Sequence, residues 1–507
     1  MVWGTLVDST PGLIVITPLF LAFLITLLER LFGRSNQILF LTGLALTSFF
    51  VGLMAFEVLT VGGWSYVFGA EQPSPENGKS FFRIIFLADG FSVLSTITIV
   101  LIAFTTGLYS IGYMKNKPDL SRFYSLFFLT FAGLNGMVLT NDLFNMFVWF
   151  EVTSIASSGL IAFENYRGKS VEAALKYLFV SVIGGLFFLF SIALFYGQYG
   201  VLNLQLLSEA MTGSYNDKMA VGLITVVFAM KSSSVPFHFW TPEVHGDAPG
   251  PVSPFIAIMV MGYLLALFRL LTSVFTGSIS SEIIGLIIIL LGAFSMVVGV
   301  FIAFSTDDIK LVVVYLSISQ IGYIMLVVGV GLTTLNTTRY QEFGQLSFAS
   351  GLFHVINDAV YKTLLFLSVI TMGRVAGTRD KRQLSGMLHR LPYTTVFFII
   401  AGLSISGFPP FSGFYSKFLI YRATYSFHPI LGLFTVVMTA LIFLLMAQLF
   451  SSVFLGPVDE EPEGSVSRSM LASMVILTII VIVFSIIPHI FVSEVVIPAV
   501  EALTTSF

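Results

Sequence analysis

Four stretches of apolar sequence each carry a side chain that can hold charge. Glu151 lies within residues 143–163, amid Phe147, Val148, Trp149 and Phe150. Lys231 follows the apolar run 221–230 and precedes Ser232-Ser233-Ser234. His354, Asp358 and Lys362 recur every four residues and so stack on one helical face. Lys417 sits inside the apolar segment 411–420. A charge at the centre of a membrane helix costs about 2.5–3.5 kcal/mol on insertion scales, so several in one chain need partners, water and a task. The bland alternative for any one of them, His354 above all, is a satisfied polar group that fixes helix packing. Four helices with such groups point instead to a proton or sodium path. Glu151 and Lys231 have complementary signs and are expected to pair near neutrality at rest. Asp358 is expected to neutralise Lys362, which leaves His354 to relay protons between Lys231 and Lys417. A carboxylate also suits a hard cation, so a role of Asp358 in sodium binding stays open. Prolines interrupt two of these helices: Pro236 lies five residues after Lys231, and Pro409 and Pro410 precede Lys417. Proline frees backbone carbonyls, which lipid cannot satisfy but a hydrated cavity can. A broken helix beside a buried charge is how transporters build ion sites at the midplane.

The elements that must position these groups are helices that cross a bilayer. Of the 507 residues, 56% are apolar and only 10% charged, and the mean hydropathy is +0.95. A soluble chain carries about a quarter charged residues. Apolar runs long enough to span the hydrocarbon begin near Pro11, Ile38, Phe91, Phe123, Leu143, Tyr177, Met219, Val252, Ile283, Leu311, Leu346, Thr394, Leu431 and Met470. The alternation of a β-barrel is absent. The predicted fold is therefore all-α and polytopic, with about 14 transmembrane helices. No basic segment precedes the first run, which reads as a retained span rather than a cleaved signal.

The basic residues set the orientation. Fifteen, among them Arg30, Arg34, Lys176, Lys310, Arg379 and Lys381, fall on one face, and six fall on the other: Lys79, Arg83, Lys218, Arg269, Arg339 and Arg422. The remaining three of the 24 are Lys231, Lys362 and Lys417. The richer face is expected to be cytoplasmic, with both termini outside. Two loops are long. Residues 58–90 form an outer connection with a polar stretch from Glu71 to Lys79, and residues 373–392 form a basic cytoplasmic loop with a short surface helix. The acidic residues 459–463 read as a solvated turn. The net charge of −3 gives no reason to expect nucleic acid as a partner. The chain has no cysteine, which excludes disulfides and thiolate-ligated iron–sulfur clusters within it.

The stretch from Lys231 through Pro236, His238, Trp240, Pro242 and His245 to Pro249, Pro251 and Ser253 resembles the signature of the antiporter-like family. That family comprises the proton-pumping membrane subunits of complex I, the large subunits of Mrp-type Na+/H+ antiporters and their counterparts in membrane-bound hydrogenases. Further matches follow in order: Ala88-Asp89-Gly90, Asn141-Asp142-Leu143 leading to Trp149-Phe150-Glu151, and Ala174-Leu175-Lys176-Tyr177. Then come Asp308-Ile309-Lys310, Phe353-His354 with Lys362, and Ser406-Gly407-Phe408-Pro409-Pro410 leading to Lys417. The likeness covers nearly the whole chain. It implies a single transmembrane domain over 1–507, with helices 1–3 in 1–117, inverted five-helix repeats in 118–275 (helices 4–8) and 283–456 (helices 9–13), and helix 14 in 470–492. Helices 7 and 12 would be broken. It implies a charged axis through Glu151, Lys231, the histidine-bearing helix 11 and Lys417, with Lys176, His238 and His245 in support.

Two positions depart from the pattern. Met261 stands where many relatives carry a lysine on helix 8, and Asp358 where they often carry a second histidine. The chain ends at Phe507, without the lateral helix of the longest relatives, which suits an Mrp-type or hydrogenase-like complex. The expected function is H+ and/or Na+ translocation as one member of a multi-subunit membrane complex in the cell membrane, foremost a hydrogenase-like or related redox-driven pump and alternatively an Mrp-type antiporter. Any redox centre, such as a peripheral Fe–S or NiFe group, would belong to partner subunits; no cofactor and no metal is expected in this chain. A self-sufficient solute carrier would need a cluster of recognition groups rather than a row. A metal site at His238, Glu243, His245 and Asp247 competes with their place in the signature.

Overall fold

The computed structural model describes residues 2–32, 37–68, 84–274, 281–335, 337–455 and 466–505. The polar stretch from Glu71 to Lys79, Arg34, Arg83 and the acidic residues 459–463 lie outside the described residues. Three helices come first: α1 (Thr10–Phe32), α2 (Gln37–Thr60) and α3 (Gly90–Tyr113). Five follow as α4 (Leu120–Leu139), α5 (Leu143–Ile161), α6 (Gly168–Tyr199), the broken helix α7a (Tyr215–Lys231) and α7b (Trp240–Asp247), and α8 (Val252–Val274). The next five are α9 (Ser281–Ser305), α10 (Ile309–Thr334), α11 (Gln345–Ala376), the broken helix α12a (Pro392–Ile405) and α12b (Ser412–Phe427), and α13 (Pro429–Phe454). Helix α14 (Arg468–Ile486) closes the set. Among the described residues, 12 helices are long and apolar enough to cross a membrane, and the two broken ones complete the expected fourteen. In each group of five the fourth helix is the broken one. Five crossings are an odd number, so the second group starts on the opposite face and the two are inverted copies.

Local sequence sets the helix ends. Asp89, Asp142 and Asp308 cap α3, α5 and α10, their carboxylates accepting from Ser92 N, Asn145 N and Lys310 N. Ser214 and Asp217 form a capping box on α7a. Gly200 and Gly377 end α6 and α11 with φ of +68° and +70°, values that favour glycine. Helices α8 and α11 run through the centre of the bundle and are buried along nearly their whole length. Helices α9 and α10 meet backbone to backbone. A Cβ on Gly285 would lie 2.7 Å from the Gly329 carbonyl, on Gly292 2.6 Å from Leu326 N, and on Gly299 2.6 Å from the Tyr315 carbonyl. Small residues at a spacing of seven thus make a tight seam, the usual device for joining helices in lipid.

Three details differ from the sequence expectations. The outer connection contains an antiparallel hairpin, β1 (Trp64–Val67) with β2 (Ile85–Ala88), tied to the α4–α5 turn by Asn141 N donating to the Ile85 carbonyl. The surface helix in 373–392 is one turn, Met387–Arg390. Before it runs an extended strap: Lys381 N donates to the Asp307 carbonyl, and Arg379 pairs with Asp308 at 3.0 Å and donates to the Gly246 carbonyl at 2.8 Å. Two basic residues assigned to the faces are also buried. Arg269 is 1% exposed and paired with Asp89 at 2.7 Å, and Lys310 is 3% exposed and donates to the Ala248 carbonyl. Removing one partner of a pair like Asp89–Arg269 costs about 3–5 kcal/mol.

Candidate functional site

The break in α7 begins at Lys231, the last residue of α7a. Ser233 takes a left-handed φ of +60°, and the chain resumes helical form at Phe237–Phe239 and α7b. Backbone groups at the break find new partners. The Trp240 indole N–H reaches back to the Met230 carbonyl at 3.1 Å, and Val235 N donates to Ser295 Oγ on α9 at 2.9 Å. Lys231 is fully buried, and its ammonium donates to Ser154 Oγ and the Tyr177 hydroxyl at 2.9 Å and to Ser181 Oγ at 2.8 Å. The faces of Tyr177, Tyr263 and Phe150 lie 4.4, 4.7 and 5.1 Å from it. Hydroxyl oxygens and ring quadrupoles thus hold the charge.

The expected Glu151–Lys231 pair is corrected by this geometry: the two do not come within ion-pair distance among the described residues. The three hydroxyls already fill the donor positions of the ammonium, one of them from Ser154, a single turn along α5 from Glu151. Glu151 is half-buried, and its Oε1 has no hydrogen-bond partner among the described residues. It shares its helix face with Val148 and Ile155, which are exposed on the apolar flank. A Cβ on Gly185 would lie 2.0 Å from Glu151 Oε1, so that glycine on α6 makes room for the carboxylate.

The gap left at Met261 is bridged otherwise. Met261 is buried, and the α8 residue that meets Lys231 is Tyr263, whose hydroxyl lies 3.1 Å from Ser154 Oγ. Beyond the break, Ser233, Thr241, His245, Ser317 and Lys362 line a small cavity of about 10 Å³, room for about one water. Thr241 donates to Ser233 at 2.7 Å. His245 is 2% exposed, its ring stacked on Phe366 at 5.3 Å, and its Nδ1 has no partner among the described residues.

On α11 the Lys362 ammonium contacts the Asp358 carboxylate, both fully buried. One turn back, His354 Nδ1 lies 3.0 Å from Ser416 Oγ, and Nε2 lies 3.2 Å from Gln320 Oε1. Ser416 precedes Lys417 on α12b. The Lys417 ammonium donates to the Ile405 carbonyl at 2.8 Å and lies 4.6 Å from the centre of the Tyr323 ring. Here the lysine itself satisfies a carbonyl freed by the break at Pro409 and Pro410. A Cβ on Gly413 would fall 1.8 Å from the Ser404 carbonyl, which only glycine permits.

The remaining residues singled out from sequence lie at the edge. Lys176 is exposed and bridges Glu172 at 2.9 Å and Glu243 at 2.7 Å, which ties α6 to α7b. His238 is half-buried beside the break. Glu243 turns to Lys176 while His245 turns to Phe366, so the histidines and acids of this segment do not converge. Sequence reasoning missed Ser154, Tyr177, Ser181, Tyr263, Gln320, Tyr323 and Ser416. Part of the signal was present: Tyr177 and Ser181 stand four apart on one helix face.

A row of buried ionisable groups threaded past two broken helices places the molecule among ion-translocating membrane folds. The chain belongs to the family described as "NADH:quinone oxidoreductase/Mrp antiporter, TM", which residues 140–443 match. Residues 78–124 match the N-terminus of chain 5 of NADH-ubiquinone oxidoreductase (complex I). Among curated proteins it is similar to two Na(+)/H(+) antiporter subunits of Alkalihalophilus pseudofirmus. It is 30% identical to the larger of them, over 96% of this chain and 62% of that protein. It is 28% identical to the other, over 81% of this chain and 80% of that protein. The chain thus spans less than two thirds of the length of the larger relative. Two solved structures share the fold. A chain of the archaeal membrane-bound sulfane sulfur reductase superposes with a TM-score of 0.86 at 24% identity, covering 98% of each chain. A chain of the Mrp complex from a Dietzia species superposes with 0.84 at 22% identity, covering 99% of this chain and 98% of that one.

Proposed function

We propose that this chain translocates H+ and/or Na+ as one subunit of a larger membrane complex. The observation that carries the reading is the row of buried polar groups running from Lys231 and its hydroxyl cage, past the cavity beside Lys362 and the Asp358 pair, to His354, Ser416 and Lys417. Lys231 and Lys417 each sit at a helix break, where small backbone shifts alter their partners. Glu151, turned to an apolar flank, meets a neighbouring membrane protein of the complex and receives the signal that starts the charge rearrangement. The chain carries no cofactor of its own.

Two homes come into question. The first is a redox-driven complex, hydrogenase-like in plan, with Fe–S or NiFe centres in peripheral partners. The fold shared with a chain of an archaeal respiratory membrane complex is compatible with it, and the fold shared with the Mrp chain is equally compatible with the second. The 30% identity with an Na+/H+ antiporter protein favours an Mrp-type complex. A mass-spectrometric list of co-purifying subunits separates them: metal-bearing peripheral subunits mean the first, small hydrophobic ones alone the second. The complex resides in the plasma membrane with both termini outside. Labelling of an added cysteine near Thr378, but not near the C-terminus, by an impermeant reagent on intact cells would reverse that orientation.

The function itself is tested with Lys231→Ala and Lys417→Ala in membrane vesicles. Both variants should assemble and lose ion translocation. Normal transport in either removes that lysine from the path.

A further inference from the structure

Helix α7b ends where its backbone most needs donors from outside. The last carbonyls of any helix have no amide of their own one turn ahead. Pro249 and Pro251 deepen the shortage, because they lack the N–H groups that the His245 and Asp247 carbonyls would otherwise meet. Four side chains fill the gap, one for each successive carbonyl. Ser253 Oγ donates to His245 at 3.2 Å, Arg379 to Gly246 at 2.8 Å, Ser170 Oγ to Asp247 at 2.7 Å and Lys310 to Ala248 at 3.2 Å. They come from α8, the strap, α6 and α10, so both groups of five helices and the strap meet in one socket. Two of the four are cations, the sign that suits the negative end of a helix. Asp308 caps α10 and also pairs with Arg379, so the first turn of α10 organises both.

The other end of α7b meets the break. Trp240 there bonds the Met230 carbonyl and packs on Tyr177, while Thr241 and His245 line the cavity beside Lys362. The placement of this eight-residue helix thus sets both the wall of the Lys231 cage and the shape of that cavity. Lys310 is not among the groups that line the cavity; its ammonium goes to the helix end.

We propose that Lys310 and Arg379 are positioning residues, which hold the end of α7b and so keep Trp240, Thr241 and His245 in place beside Lys231 and Lys362. Lys310, although a buried lysine, carries no ion itself. The inference rests on the reading of the buried row as the ion path. A proton carrier must give up its proton, which lysine can do and arginine cannot. A cation that only holds a carbonyl keeps its proton, and arginine serves there as well.

The test uses vesicles carrying the whole complex, with ion transport measured in Lys310→Met, Lys310→Arg, Arg379→Gln and Arg379→Lys. A second readout does not depend on transport. Thr241 is buried and the chain has no cysteine, so Thr241→Cys, added to each variant, reports the place of α7b by its rate of reaction with a small thiol reagent. In Lys310→Met and Arg379→Gln transport should fall about tenfold, the scale of one hydrogen bond from a charged donor, and labelling should quicken. Lys310→Arg should restore both, and Arg379→Lys part of each. Arg379 is partly exposed, so its variants assemble even where a change at buried Lys310 does not. Unchanged labelling in Lys310→Met and Arg379→Gln, or faster labelling with normal transport, overturns the proposal. Lost transport in Lys310→Arg with labelling as in the natural protein overturns it too, and makes Lys310 an ion carrier. If Lys231→Ala transports normally the path reading fails, while labelling still decides whether the socket holds α7b.

Discussion

Trp240 and Met230 stand on opposite sides of the break in α7 and are joined by one hydrogen bond, from the indole N–H to the Met230 carbonyl at 3.1 Å. Trp240 also packs on Tyr177, ring centres 5.1 Å apart, and Tyr177 holds Lys231. The bond that heals the break therefore also sets the wall of the lysine cage.

Trp240→Phe should show this. It keeps an aromatic ring but removes the indole donor and leaves the Met230 carbonyl only the longer bond from Ser233 N at 3.3 Å, at a cost of about 1 kcal/mol. The purified complex should unfold at a lower temperature, and transport should drop without vanishing because Tyr177 remains. An unchanged melting temperature would mean that the bond from Ser233 N alone holds the break and that the indole contributes nothing to it.

Gly185→Ala tests the place of the Glu151 carboxylate. The added methyl would stand 2.0 Å from Oε1, so the side chain must turn away. Transport should fall as far as in Glu151→Gln, with assembly intact in both. If Gly185→Ala transports normally while Glu151→Gln does not, the position of the carboxylate is immaterial and only its charge counts.

The buried pair on α11 divides two roles. Asp358→Asn removes the counter-charge of Lys362 and should weaken transport; His354→Ala cuts the contact to Ser416 and should stop it. Both are measured in vesicles over a pH series, with assembly checked in parallel. Full transport in His354→Ala and none in Asp358→Asn would exchange the roles and indicate a carboxylate-based sodium site.

Asp142, at the head of α5, gives a stability test outside the spans. Burial raises its pKa to about 6, against hydrogen bonds from the backbone of Asn145 and Phe144. A carboxyl raised in the folded state contributes stability that is present below its unfolded value and lost as pH rises through about 6. Asparagine caps a helix equally well and carries no charge. Asp142→Asn should therefore melt higher than the natural protein at about pH 8, and the difference should vanish near pH 4. A difference independent of pH would assign the effect to something other than ionisation.

The span pattern and both breaks could be read from the chain because membrane helices are long apolar runs and proline cannot continue one. Lys231, Lys362 and Lys417 stood out for the same reason, as charges with apolar neighbours on both sides. Arg269 and Lys310 did not, since each lies near a helix end, where sequence reads a surface residue. Only the fold brings Asp89 to Arg269 across 180 positions. Glu151 and Lys231 illustrate the reverse error. Opposite signs invite a pairing, but serine and tyrosine hydroxyls from neighbouring helices surround the ammonium first, and no spacing rule links Ser154, Tyr177 and Lys231. The Met261 departure was visible, whereas its remedy was not: Tyr263 comes two residues later and acts through its hydroxyl rather than a charge.

The glycine seam between α9 and α10 has a mechanical meaning. With backbones in contact at Gly285, Gly292 and Gly299, no side chains lie between the two helices there to yield under load, so the pair behaves as one strut. Ser295 on this strut holds Val235 at the first break, while Gln320 and Tyr323 on it reach His354 and Lys417 at the second. Both breaks thus bear on the same closely packed pair. A methyl group on Gly292 would push this pair apart, 2.6 Å from Leu326 N, and so disturb the frame of both lysine sites without touching a single ionisable residue.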